Sequence, residues 1–237
     1  MELQGKTVLV TGANRGIGAA LIRAFLQHDV ARIYAGARNP VMLPKFNDPR
    51  VVPLKLDITK AADVAAAVKA TGDVDLLVNN AGVANGGDII ATAPEGLAGD
   101  MDVNYFGTVR MMQAFAPVLE KRRGTIANVI SVVGLASVPM LGGYSATKAA
   151  LFSATQAARS SLKAKNITVI GVYPGPIDTE LAKDLTMDKA SPEATAEDIV
   201  ASIQGGQEEI YPDPTSKQLS ALWASNPKGL EQFFAGM

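Results

Sequence analysis

Short apolar runs rich in β-branched residues recur along the 237-residue chain, and longer Ala-rich stretches with helical spacing separate them. "TVLVTG" (7–12), "RIYAGAR" (32–38), "VVPLKLD" (51–57), "LLVNNAG" (76–82), "TIANVIS" (125–131) and "TVIGVYPG" (168–175) predict strands. These runs are apolar almost throughout rather than at every second position. Strands covered on both faces of a parallel sheet need that pattern. Residues 16–28, 60–70, 95–120 and 144–164 carry the helical composition between them. Strand and helix in alternation predict an α/β fold, a doubly wound parallel sheet with helices on both faces and right-handed crossovers. No linker, charge block or repeat breaks the pattern before about residue 178. One domain over 1–237 is expected, with 1–175 as its core and 176–237 as a second segment and tail, in which "EEIYPD" (208–213) offers a last strand.

Composition narrows what such a domain can do. Hydrophobic residues at 48% against 19% charged give a core-rich globular chain. A net charge of −1 with scattered Lys and Arg argues against a nucleic-acid surface. The absence of cysteine excludes disulfides, thiolate nucleophiles and thiolate metal sites, and a single histidine, His28, leaves no readable metal site. The N-terminus "MELQGKTVLV" does not read as a signal peptide, and no apolar run reaches the roughly 18 residues of a membrane span. A cytoplasmic protein without a membrane partner is the expectation.

Chemistry enters at the first strand-to-helix turn, "TGANRGIG", with Gly12, Gly16 and Gly18. Glycines there let a backbone approach a pyrophosphate seated on the helix N-terminus, although G-x-x-x-G-x-G is not the commoner dinucleotide spacing. The turn and its βαβ setting point to a Rossmann-type dinucleotide site. An NAD site places an acid about 20 residues further on. Here "YAGARNP" has none, and Ala37 is followed by Arg38. Arg38 and Arg15 suit the 2′-phosphate of NADP(H) through charge-assisted hydrogen bonds. In "GGYSATKAA" (142–150), Gly142 and Gly143 read as the end of a loop, and Tyr144 and Lys148 share one helix face about 6 Å apart.

Taken in order, "TGANRGIG" (11–18), "LDIT" (56–59), "NNAG" (79–82), Asn104 in "DVNYFG", Ser131 in "NVIS", "YSATK" (144–148) and "PGPIDT" (174–179) resemble the short-chain dehydrogenase/reductases, over about residues 3–180. Ser131 lies 13 residues before Tyr144, as is usual in that family. The resemblance implies a catalytic set of Asn104, Ser131, Tyr144 and Lys148. Tyr144 would be the general acid or base, Ser131 would bond the substrate oxygen, and Asn104 would hold a water in a relay to Lys148. An ammonium 4–5 Å away would favour the phenolate by up to roughly 4 kcal/mol, about 3 pK units, so a depressed Tyr144 pKa is expected.

The resemblance also implies a cofactor site. Gly12, Asn14, Arg15, Gly16, Ile17 and Gly18 would hold the pyrophosphate side, and Arg38 the 2′-phosphate. Asp57 and Ile58 would touch adenine, and Asn80, Ala81 and Gly82 would line the adenosine side. Lys148, with Tyr144 beside it, would bind the nicotinamide ribose, and Pro174, Gly175, Ile177 and Thr179 would border the carboxamide. Asp57 as a plain helix cap is the alternative. Val133, Met140, Leu141 and Leu181, in the segments 132–142 and 177–191, are candidate substrate contacts. They carry no anion clamp, which favours apolar or aromatic ketones or aldehydes and their alcohols in an open pocket.

The expected activity is hydride transfer between NADP(H) and a carbonyl or alcohol. A sensor without catalysis, an imine reductase or an epimerase are the alternatives. The Ala-rich helix after Tyr144 and the 103–120 helix form the dimer contact in family members, so a homodimer is expected, with a homotetramer as the further option. The tail lacks the family's Gly-Gly end. Met111 and Met112 read as core or interface, while Trp223, Leu230, Phe233 and Phe234 should pack on the body or on a neighbour.

Overall fold

A computed structural model describes every residue except Gly86, Asp184 and Met237. Asp184 falls inside the 177–191 segment and so lies outside the described residues. Seven strands, β1 (Thr7–Thr11), β2 (Arg32–Ala37), β3 (Val51–Lys55), β4 (Leu76–Asn79), β5 (Thr125–Val129), β6 (Thr168–Val172) and β7 (Glu209–Ile210), form one sheet in the order β3-β2-β1-β4-β5-β6-β7. Every pairing is parallel. The order in which strands are added reverses between β1 and β4, and in open sheets of this kind ligands bind outside the carboxyl ends at such a point.

Side-chain alternation along the central strands divides the core between two faces. Val8, Val10, Val78 and Ile170 pack with α1 (Gly16–Leu26) and α6 (Pro192–Gln204). Leu9, Leu77, Ile126 and Val169 meet α2 (Ala61–Ala70) and the Met111, Phe115 and Leu119 ridge of α4 (Thr108–Arg122). Met111 and Met112 are therefore core residues, whereas Phe106 is half exposed.

Two sequence expectations need correction. The 95–120 helix is three pieces: α3 (Pro94–Met101), a π-helical turn (Asp102–Gly107) and α4. The wide turn carries Asn104 inward, where its amide bonds the backbone of Val83 instead of facing solvent. Such π turns mark functional positions in many helices. The second correction concerns Gly142 and Gly143, which open α5 (Gly142–Leu162) rather than close the preceding loop. A Cβ on Gly142 would come within 3.1 Å of Ile89 Cβ, so the close approach of the 87–89 segment asks for glycine at the first helical position.

The tail folds back on the body. Leu219 of α7 (Pro214–Ser225) and Leu230 and Phe234 of α8 (Pro227–Ala235) join Ile130, Leu151 and Tyr173 in a third apolar cluster, and Trp223 meets the edge of Phe152 at 5.9 Å. Asp213 fastens α7 at its start: one oxygen accepts from Ser216 N–H and the other from Gly175 N–H, both at 2.8 Å.

Candidate active site

The glycine turn is built by close approach. Gly12 has φ +67°, and a Cβ there would meet Ala81 Cα at 2.8 Å; one on Gly18 would collide with the Gly12 carbonyl. Thr11 Oγ accepts from both Asn80 and Ala81 N–H, at 3.0 and 3.1 Å, and the Asn80 amide donates to the Thr11 and Gly12 carbonyls at 2.9 and 3.2 Å. Asn80 thus ties the β4 end to the β1 turn. The first turn of α1 opens at this point. Its N-cap, Arg15, makes no side-chain capping bond and no acid stands in the first turn. Unsatisfied N–H donors at a helix N-terminus favour an anion.

At the end of β2 the exposed Arg38 lines the same cleft as Arg15. Neither guanidinium forms a hydrogen bond or ion pair among the described residues. Asp57 Oδ1 accepts from Thr59 N–H and Oγ–H at 3.0 and 2.7 Å, closing an Asx-type turn. Helix α2 starts later, with Lys60 at its N-cap, so Asp57 is no cap of that helix. Partial burial pushes the Asp57 carboxyl up, but the Thr59 bonds and the charge of Arg38 outweigh it and leave the pKa below the ordinary value.

Tyr144 and Lys148 stand in the first two turns of α5, both buried. Lys148 Nζ donates to the Val129 carbonyl at the end of β5, at 2.9 Å, and sits 5.5 Å from the Tyr144 ring centre. Ser131 leaves the same strand end. Its hydroxyl donates to the Pro174 carbonyl at 3.2 Å and accepts from Val133 N–H at 3.3 Å, capping the turn at 132–134. Asn104 stands behind them. Its Oδ1 accepts from Val83 N–H at 2.8 Å, and its Nδ2 donates to the Val83 carbonyl and Thr147 Oγ at 2.8 and 2.9 Å. Gly82 separates it from the lysine: a Cβ there would lie 3.2 Å from Asn104 Oδ1 and 3.7 Å from Lys148 Nζ.

Electrostatics here differ from the sequence expectation. Burial, with the charge of Asp100 second, holds the Tyr144 phenol above its ordinary range. Burial likewise pushes Lys148 down to about 8. Desolvation disfavours the charged form of both groups.

One cleft of about 580 Å³ joins these parts. Ser131, Tyr144 and Lys148 line it, as do Gly12, Asn14, Arg15, Gly16, Ile17, Gly18, Arg38, Asp57, Ile58, Asn80, Ala81, Gly82, Pro174, Gly175, Ile177 and Thr179. Its other end is lined by Val133, Met140, Leu141 and Leu181. Asn104 alone among the sequence-derived site residues is not on the wall; it is bonded to Val83, which is, and to Thr147.

A family model described as short chain dehydrogenase matches residues 6–190. The chain belongs to that family. The short-chain dehydrogenase PC-15 of Penicillium crustosum is 36% identical over 75% of this chain and 68% of its own. Galactitol 2-dehydrogenase of Agrobacterium fabrum is 35% identical over 76% and 73%. Among solved structures, a short-chain dehydrogenase of Burkholderia cenocepacia in complex with NADP superposes with a TM-score of 0.94 at 36% identity, over 99% of both chains.

In this short-chain dehydrogenase the cleft wall also includes residues that sequence reasoning did not place in the site: Thr215, Gln218 and Leu219 of α7 and Phe233 and Phe234 of α8. Phe233 is 50% exposed while its neighbour Phe234 is buried in the third cluster. The signal in the sequence was only the pair of aromatics at the end of an amphipathic segment, which reads equally well as packing.

Proposed function

We propose that this short-chain dehydrogenase is an NADP(H)-dependent carbonyl reductase or alcohol dehydrogenase acting on an apolar or aromatic ketone or aldehyde. The carrying observation is the continuous cleft that has a buried Tyr144–Lys148 pair in its middle and two unpaired arginines at its glycine-turn end. The residues present fit a dinucleotide. The glycine turn leaves no room for a Cβ at Gly12 or Gly18, the first turn of α1 is free of side-chain caps, and Arg15 and Arg38 line the same cleft, where they would meet a 2′-phosphate.

When bound, the dinucleotide would supply or accept the hydride. The chain would do the rest. The α1 N–H groups would take the pyrophosphate, and Lys148 would bond the nicotinamide ribose while holding positive charge beside Tyr144. Ser131, freed from Pro174 by rotation of its hydroxyl, would donate to the carbonyl oxygen. Tyr144 would deliver its phenolic proton to that same oxygen as negative charge develops there. The phenol carries its proton at neutral pH, as the donor role requires.

Substrate class follows from the far wall. Val133, Met140, Leu141, Leu181 and Phe233 are apolar, and the charged residues of the cleft sit at its cofactor side or, like Glu180, are ion-paired. An apolar group flanking the carbonyl would bury there, and a carboxylate or phosphate would find no partner. A homodimer through α4 and α5 belongs to the same proposal.

The test is NADPH consumption with a panel of aryl and alkyl ketones, repeated with Tyr144→Phe. The wild type should turn over aryl ketones. The variant should lose at least about 100-fold in kcat, the scale of general acid catalysis, while still binding NADPH. A Tyr144→Phe enzyme within about threefold of wild type would remove the assigned role.

A further inference from the structure

Asp213, between β7 and α7, is buried at 2% exposure. A carboxylate only accepts hydrogen bonds, and burying one is costly unless its oxygens find donors. Two backbone groups supply them here. Oδ1 accepts from Ser216 N–H and Oδ2 from Gly175 N–H, both at 2.8 Å. The first bond caps α7, and the Ser216 hydroxyl completes that cap by accepting from Asp213 N–H at 3.1 Å. The second bond has no part in starting the helix. It reaches instead to the turn after β6, where a Cβ on Gly175 would come within 2.8 Å of Asp213 Oδ1. Glycine at 175 is what admits the carboxylate so closely.

Gly175 N–H belongs to the same peptide as the Pro174 carbonyl. That peptide is trans and planar, so its N–H and C=O point in opposite directions. Holding the N–H on Asp213 therefore aims the carbonyl the other way. There it accepts from the Ser131 hydroxyl at 3.2 Å and from Val132 N–H at 3.1 Å. One peptide thus has Asp213 on one edge and, on the other, both the side chain of Ser131 and the backbone that follows it. Helix α7 also packs against the 132–134 turn that Ser131 caps.

We propose that Asp213 is a positioning residue for Ser131: through the Pro174–Gly175 peptide it fixes the carbonyl that holds the serine hydroxyl where a substrate oxygen would meet it. Without the bond to Gly175 the peptide is free to turn and the serine loses its anchor. Misplacing a reacting group by about 1 Å costs on the order of 100-fold in rate, so the effect belongs in kcat. NADPH, held mainly at the glycine turn and Arg38, would bind as before.

The inference rests on Ser131 acting on the substrate oxygen, as proposed above, and one arm of its test needs no turnover. Asp213→Ser keeps a good N-cap for α7 but offers one oxygen to two donors. In its crystal structure the Ser131 hydroxyl should lie beyond hydrogen-bond distance of the Pro174 carbonyl. A Ser131 and a Pro174–Gly175 peptide placed as in wild type overturn the inference. The second arm is a double-mutant cycle with Ser131→Ala, read as kcat for acetophenone reduction by NADPH. Asp213→Ser alone should lower kcat by about 10- to 100-fold while the NADPH Kd stays within about threefold. On the Ser131→Ala background it should cost less than about twofold, because the group it positions is gone. Equal losses on both backgrounds overturn the inference. So does an equal loss in Ser216→Ala, which weakens the cap and leaves Gly175 its partner. Asp213→Asn, of nearly the same shape and also with one acceptor for two donors, takes the place of Asp213→Ser if circular dichroism shows the latter unfolded. A wild type that reduces neither acetophenone nor any other ketone of the panel would end the carbonyl-reductase reading instead, and the crystal structure would still decide the role of Asp213.

Discussion

Lys148 is held at 3% exposure with its ammonium on the Val129 carbonyl, and burial pushes its pKa from 10.5 to about 8. Between those values the unfolded chain binds more protons than the folded one, so stability rises as pH climbs through this window. Below about pH 8 the full penalty applies, and a shift of about 2.5 units corresponds to roughly 3 kcal/mol. Lys148→Met should therefore raise the melting temperature at pH 7, by less than that figure implies because Val129 loses its donor. The gain should shrink as pH goes from 8 towards 10.5. A stability difference that does not change with pH would show that the ammonium is not penalised. Activity depends on the same group, and the wild type should lose ketone reduction as pH passes 8 and the charge leaves.

Arg38 poses the corresponding question for the cofactor. It is exposed and lines the cleft without a protein partner among the described residues. A charge-assisted bond contributes roughly 1.5–3 kcal/mol, so Arg38→Ala should weaken NADPH by about 10- to 100-fold and leave NADH little changed. The measurement is kcat/KM for both cofactors at fixed ionic strength, since salt screens such contacts. A wild type that prefers NADH would end the argument before any variant is made.

At the scale of elements, the informative part is the tail. Helix α8 is anchored by Leu230 and Phe234, which leaves Phe233 half exposed on the cleft wall. Truncating it removes part of an aromatic surface, about 1 kcal/mol of apolar burial for a ligand that covers it. Phe233→Ala should raise KM about fivefold for aryl ketones and leave a small alkyl ketone unaffected, with kcat and NADPH affinity unchanged. Equal effects on both substrates would place Phe233 outside the pocket. The tail's role was not legible in the sequence, because an amphipathic helix announces that it packs but not where. Asp213 decides where, since its carboxylate joins the start of α7 to Gly175 beside the cofactor segment. The π turn was hidden for a similar reason. "MDVNYFG" fits an ordinary helix, and only the backbone of Val83, brought in from β4, turns Asn104 inward.

For the whole molecule, the order of strands and helices, the glycine turn and the spacing of Ser131, Tyr144 and Lys148 were all readable along the chain, because each depends on local period or on a motif confined to a few residues. Strand ends came out one to three residues too long, since apolar character continues into the loops that line the cleft. The physical state of the site was another matter. Two side chains four apart on a helix predict attraction between an ammonium and a phenol, and that reading lowers the Tyr144 pKa. Tertiary structure reverses the sign by sealing both groups from water. The sequence by itself determined which groups are present and in what order they fold together. Desolvation, the inward turn of Asn104 and the α8 wall arise only where distant segments meet, because burial belongs to the packed whole and not to any one stretch of chain.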